Sequence, residues 1–175
     1  MQPKKQINLN TRTRAIVVLI IMVFALALQS CQSSPQQLAD DVLSQQPLPR
    51  VVIVGETHLR NDHHQIQLAF LRAMHQQNPN LVIGVEWFQQ PFQSVLDDYI
   101  AGRIDEARML EATEYFSRWR FDYRLYRPIM QYARQHGLKV LALNVPRELT
   151  SAISMHGLSG IDDALKQQLP DDYDF

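Results

Sequence analysis

Within nine residues the chain places Glu56, His58, Asp62, His63 and His64, in the segment GETHLRNDHH. Imidazole and carboxylate are the ligands taken by a borderline divalent cation or a haem iron, and the only cysteine sits far away at position 31, so no thiolate competes. A second carboxylate, Glu86, ends the apolar run Leu81-Val82-Ile83-Gly84-Val85 and is followed by Trp87. A carboxylate at the end of so apolar a run carries a desolvation cost unless something pairs with it. A third apolar run ends in Asn144, with Arg147 just beyond it. Glu56, His58, His64 and Glu86 are therefore the candidate metal ligands. Trp87, Trp119, Tyr126, Asn144 and Arg147 are the candidate ligand-binding residues. His63 reads as a residue covering a helix start, and His75, His136 and His156 fall near helix C-terminal ends, where a cation suits the dipole.

These groups need elements to carry them. VVIVG at 51–55 is β-branched and nearly continuous, as in a parallel strand buried on both faces. Asn61 and Asp62 offer N-caps for a helix to about Gln77, with Ile66, Phe70, Leu71 and Met74 at helical spacing and either His63 or His64 free to face inward. LVIGVEWF at 81–88 reads as a second strand, and Pro91 opens a helix to about 101 that Gly102 closes. Residues 104–119 read as irregular helix, and 123–136 as a helix that starts or bends at Pro128 and stops before Gly137. KVLALNV at 139–145 is the third strand, and Pro146 starts a helix towards Met155. This alternation predicts an α/β fold, a parallel sheet with right-handed crossover helices, incomplete at three strands. In open parallel sheets ligands bind beyond the carboxyl ends of the strands, which is where Glu56, His58, Glu86 and Asn144 fall.

Between the second and third strands, Tyr115, Phe116, Trp119, Phe121, Tyr123 and Tyr126 interleave with Arg118, Arg120, Arg124 and Arg127. Core packing is the commoner use of such a segment, and stacking on a flat ligand with arginines near its acidic groups is the other. Residues 1–30 carry Lys4, Lys5, Arg12 and Arg14 and no Asp or Glu, which leaves 13 of the 17 basic side chains against all 18 acidic ones. That acidic remainder argues against a nucleic-acid partner. No GxGxxG, GxxxxGK or GxSxG motif supports nucleotide binding or a serine elbow.

The N-terminus reads as an address. Four cations precede the uncharged apolar run at 15–28, whose fourteen residues would span roughly 21 Å as a helix, short of a bilayer's hydrocarbon layer of about 30 Å. Residues 1–30 are expected to be a signal peptide. Leu28-Gln29-Ser30-Cys31 resembles a bacterial lipoprotein box, with Cys31 lipidated as the mature N-terminus. Attached acyl chains contribute about 0.8 kcal/mol per buried CH₂, enough together to hold a domain on a bilayer. Gln32, where an aspartate would resemble an inner-membrane retention signal, favours the outer membrane, on its periplasmic or surface side. Residues 31–49, rich in Gln, Ser and Pro, read as a tether with a short helix at 38–43, ahead of a domain at 50–175.

Val-Gly-Glu-Thr-His at 54–58 with His63-His64, Gly-Val-Glu-Trp-Phe at 84–88, Tyr-Arg-Pro-Ile at 126–129 and LKVLALNVPREL at 138–149 together resemble the ChaN-like family. These are bacterial haem-binding lipoproteins of the wider Tiki and erythromycin-esterase-like group, and the resemblance covers residues 50–160. It implies an α/β domain, an outer-membrane lipoprotein, and haem binding linked to iron acquisition. It also implies a longer domain, of which this chain holds the N-terminal portion. Distant relatives in the group use a Glu-x-His strand end and a second strand-end glutamate for metal-dependent hydrolysis, and the matching positions here are Glu56, His58 and Glu86.

The favoured reading is a haem-binding protein rather than an enzyme, with haem and the membrane as partners and a homodimer or a transport partner as the protein-level association. The alternative is a hydrolase whose cofactor is a divalent metal ion. Address and resemblance agree on the carrier. The lipobox generates the first prediction: Cys31→Ser stops lipidation, and membrane fractionation finds precursor or released soluble protein where the unaltered chain stays membrane-bound.

Overall fold

The computed structural model describes residues 34–44 and 49–169. The apolar segment at 15–28 and Cys31 lie outside the described residues, so the signal-peptide and lipidation expectations are not addressed by it. Among the described residues no helix is long and apolar enough to cross a membrane.

Helix α1 is Pro35–Leu43, started by the Ser34 side chain, which accepts from the Gln37 amide, and by proline in the first turn. It begins earlier than the short helix expected within the tether. Its Ala39 and Leu43 are buried against Ala69 and Ala73 of helix α2, Asn61–Gln77. Small residues on both sides let the two helices meet closely. The bounds of α2 agree with the sequence pattern, but its cap is Arg60, with no side-chain capping bond, and Asp62 lies inside the first turn, where an acidic group suits the dipole.

Strand β1, Val82–Gln89, pairs in parallel with β2, Lys139–Asn144, and these are the only two strands of the described residues. The chain between them folds as α3 (Gln93–Ile100), α4 (Glu106–Ala112), α5 (Tyr115–Arg118) and α6 (Arg127–His136), with single 3₁₀ turns at 90–92 and 123–125. Glu114, at a φ of 51°, breaks the irregular helix expected over 104–119 into α4 and α5. Pro128 sits in the first turn of α6, which therefore starts there rather than bending. Gly137, at a φ of 62°, ends it in the left-handed region that costs glycine least. Helices α7 (Arg147–His156) and α8 (Asp163–Lys166) follow β2. The fold is α/β with an incomplete parallel sheet, as the element order predicts.

The expected strand at 51–55 does not join the sheet. Val52 packs on the α1–α2 cluster and the Val54 carbonyl accepts from the Gln67 side chain at 3.2 Å, so the segment is tied to α2 instead. Val51 and Ile53, 74% and 90% exposed, face no second layer. Burial on both faces, which the apolar runs suggested, is likewise not found in β1 and β2. Val85 and Trp87 of β1 and Val140 and Ala142 of β2 are buried with Leu96, Tyr99, Met109, Tyr126 and Met130, whereas Val82, Gly84, Glu86 and Leu143 lie on an open face.

Gln93 closes the outer edge of β2. Its amide nitrogen donates to the Val140 carbonyl at 2.8 Å and its oxygen accepts from the Ala142 N–H at 2.9 Å, so one side chain reproduces what a neighbouring strand would supply. Gln93→Ala should leave both main-chain groups without a protein partner and destabilise the fold by about 1–3 kcal/mol. Urea unfolding measures the loss, and faster hydrogen exchange at the Ala142 amide locates it.

Candidate functional site

The loop between the extended segment and α2 is pinned residue by residue. The Thr57 N–H donates to His63 Nδ1 at 2.9 Å, the Arg60 N–H to the Thr57 carbonyl at 2.8 Å, and His64 Nε2 to the His58 carbonyl at 3.0 Å. His63 therefore holds the loop, and His64, 3% exposed, is the inward-facing one of the pair. Asp62 is taken by Arg60, and the guanidinium hydrogen-bonded to it holds its carboxyl well below the usual carboxylate range.

Glu56 is the centre of the arrangement, its side chain only 4% exposed. Oε1 accepts from the Tyr126 hydroxyl at 3.2 Å and lies 2.7 Å from His58 Nδ1. His64 Nδ1 approaches Oε2 to 2.8 Å without hydrogen-bond alignment, its better-directed partner being Gln67 Oε1 at 3.2 Å. Oε2 is thus a buried oxygen with no aligned donor. With Nε2 on the His58 carbonyl and Nδ1 beside Gln67 and Glu56, His64 stands behind Glu56 as a positioning residue.

Tyr126, 0% exposed, lies against Trp87 with ring centroids 4.3 Å apart and meets the edge of His64 at 4.6 Å. Burial, reinforced by the nearby Glu56 charge, raises its phenol above the ordinary range, so the group keeps its proton and donates it to Glu56. His58 packs between Trp119 at 4.8 Å and Phe121 at 4.4 Å, keeps a third of its side chain exposed, and has no hydrogen-bond partner at Nε2 among the described residues. Glu86 is exposed rather than buried, because it shares the open face of β1 with Val82 and Gly84 and escapes the desolvation expected for it. Even so, Glu56, His58 and Glu86 each bring a ligand atom within 4.8 Å of the others.

Beside this cluster lies a cavity of about 320 Å³. Trp87, Trp119, Asn144 and Arg147 line it together with Gln89, Arg118 and Arg120. Trp119 joins cavity and cluster, since it also packs on His58, and its indole N–H is buried without a partner. Asn144 ties the strand ends by donating to the Glu86 carbonyl at 2.6 Å. Arg118 is already engaged by Glu114, Glu148 and Gln89. Arg120 and Arg147 each donate only to the Ser117 carbonyl among side-chain contacts, at 3.3 Å and 3.2 Å, and have no carboxylate partner among the described residues. Arg120 holds a φ of 72°, a left-handed conformation costing a non-glycine residue about 1–3 kcal/mol.

The structure therefore gathers Glu56, His58 and Glu86 at one place, sets His64 and Tyr126 behind them, and brings Trp87, Trp119, Asn144 and Arg147 to the adjoining cavity. Sequence reading did not single out Arg118 and Arg120 from the four arginines of their segment. Acidic neighbours carried some of that signal: Arg124 follows Asp122 and pairs with it, whereas Arg127 pairs with the more distant Glu106. The chemistry on offer is an imidazole backed by a carboxylate, an indole wall and two guanidinium groups with no carboxylate partner among the described residues. No curated protein and no solved structure matches the chain. A family model described as haem-binding uptake, Tiki superfamily, ChaN matches residues 42–174, from the end of α1 through the Glu56 loop, both strands and the cavity, and the chain belongs to that family.

Proposed function

We propose that the chain binds haem at the junction of the Glu56 cluster and the arginine-lined cavity. The observation that carries this reading is the His58–Glu56 pair: a carboxylate 2.7 Å from Nδ1 fixes the ring and leaves Nε2 as the lone pair for an axial bond to iron. Trp119, which packs on His58 and also lines the cavity, joins the two parts of the site. Arg120 and Arg147 would meet the propionates, and Trp87 and Trp119 would lie along the macrocycle. A cavity of about 320 Å³ is near the lower end of small-molecule sites, so it would hold only part of a porphyrin.

The setting follows from the address in the sequence. The domain is lipid-anchored through Cys31 at the outer membrane and serves iron acquisition, with haem as cargo rather than as a resident catalytic group. Family membership supports haem as the ligand, and the lipobox supports the anchor.

Haemin added to the purified chain should give a saturable, shifted Soret band. His58→Ala should abolish the shift, and Glu56→Gln, which keeps the size of the side chain, should weaken binding about 10- to 100-fold. Metal-dependent ester or amide hydrolysis lost in His58→Ala, with no haem spectral change in the unaltered chain, would overturn the proposal in favour of hydrolase chemistry. A separate outcome tests the cationic side. Arg120→Ala and Arg147→Ala should each cost about tenfold at low salt, less as ionic strength rises, because partly exposed charges are screened.

A further inference from the structure

At the opposite end of α2 from the Glu56 cluster, three rings from two helices meet outside the site described above. His75 in the last turn of α2 and His136 in the last turn of α6 have ring centroids 5.0 Å apart, and Tyr132 packs on His136 at 4.3 Å. The dipole explains one histidine at each helix end, but not the meeting of imidazoles from two separate helices, whose ring planes stand 64° apart. Metal–nitrogen bonds of about 2.0–2.1 Å in tetrahedral geometry put the centroids of two imidazoles sharing one ion about 5 Å apart, which is the spacing here.

His75 is also oriented. Its Nδ1 is 2.9 Å from the Tyr132 hydroxyl, so a proton on Nδ1 donated to that oxygen leaves the Nε2 lone pair free. His136 is exposed and has no hydrogen-bond partner among the described residues, and both helix C-termini present partial negative charge to the spot. Neither histidine has a carboxylate partner among the described residues, and the Arg72 guanidinium lies 5.6 Å over the Tyr132 ring. Calcium and magnesium, which require oxygen ligands, are therefore disfavoured, and ions with strong bonds to imidazole nitrogen are selected.

We propose that His75 and His136, with Tyr132 holding the first of them, form a second metal site that takes an imidazole-seeking transition-metal ion of the Cu²⁺ or Zn²⁺ type. The ion bridges α2 to α6 and is independent of haem. The remaining coordination positions face solvent on the His136 side and are filled by water.

Cu²⁺ alone, titrated into the tag-free full chain carrying His58→Ala to silence the strand-end cluster, tests this by calorimetry and by nitrogen hyperfine structure in the electron paramagnetic resonance spectrum. The expected result is one site with two imidazole couplings. His75→Asn or His136→Asn should lose one coupling and at least about tenfold in affinity, and Tyr132→Phe about 10- to 100-fold. His136 is exposed, so His136→Asn carries the test even where His75→Asn disturbs the helix packing. Haemin titration of His136→Asn in the otherwise unaltered chain should match the parent, which separates this site from the haem reading. Unchanged Cu²⁺ affinity and couplings in His136→Asn, or loss of the site on Glu56→Gln with both histidines intact, would overturn the proposal.

Discussion

A carboxylate that keeps 4% of its side-chain surface in water is stable only if the protein rebuilds around it what water supplied. Glu56 meets that demand on one oxygen with the Tyr126 hydroxyl, seventy residues away, and the neighbouring His58, while His64 from the first turn of α2 lies 2.8 Å from the other oxygen without alignment. Each of these groups brings its element with it. Tyr126 fixes the start of α6, and through Trp87 it fixes the end of β1. His64 fixes the loop as well, because its second nitrogen holds the His58 carbonyl. The geometry of the site is therefore a consequence of satisfying one buried acid, and the oxygen left without an aligned donor shows where that satisfaction stops.

Much of this arrangement was legible in residue order. The helix at 61–77 and the strands at 82–89 and 139–144 follow from hydrophobic period and breakers, which report local burial directly. The strand expected at 51–55 shows the limit of that signal. Its valines and isoleucine record a preference for extended backbone, but a ladder also needs a partner edge and a layer over each face, and neither belongs to the segment itself. The exposure of Glu86 has the same cause: Leu81 to Val85 are continuously apolar, yet on a sheet with one covered face the alternate positions stay in water. His63 and His64 could not be ranked by spacing, since adjacent residues on a helix differ by about 100° and either can face inward.

The arginines illustrate a different gap. Arg118, Arg120, Arg124 and Arg127 are equivalent by type, and what separates them is which acids reach them first. Arg118 is used as a clamp between α5, β1 and α7 through Glu114, Gln89 and Glu148. Arg120 escapes such pairing on a backbone turned into the left-handed region, a feature no composition or period reports. Which guanidinium groups stay clear of carboxylates at the cavity thus depends on local backbone geometry as much as on residue type.

Gln93 has a consequence for how the sheet can be extended. With its amide seated on Val140 and Ala142, the outer side of β2 has its main chain already engaged, whereas β1 has no second ladder partner among the described residues. Growth of the sheet is therefore polar. Among the described residues the edge without such a closure is that of β1, the strand that carries Glu86 and Trp87.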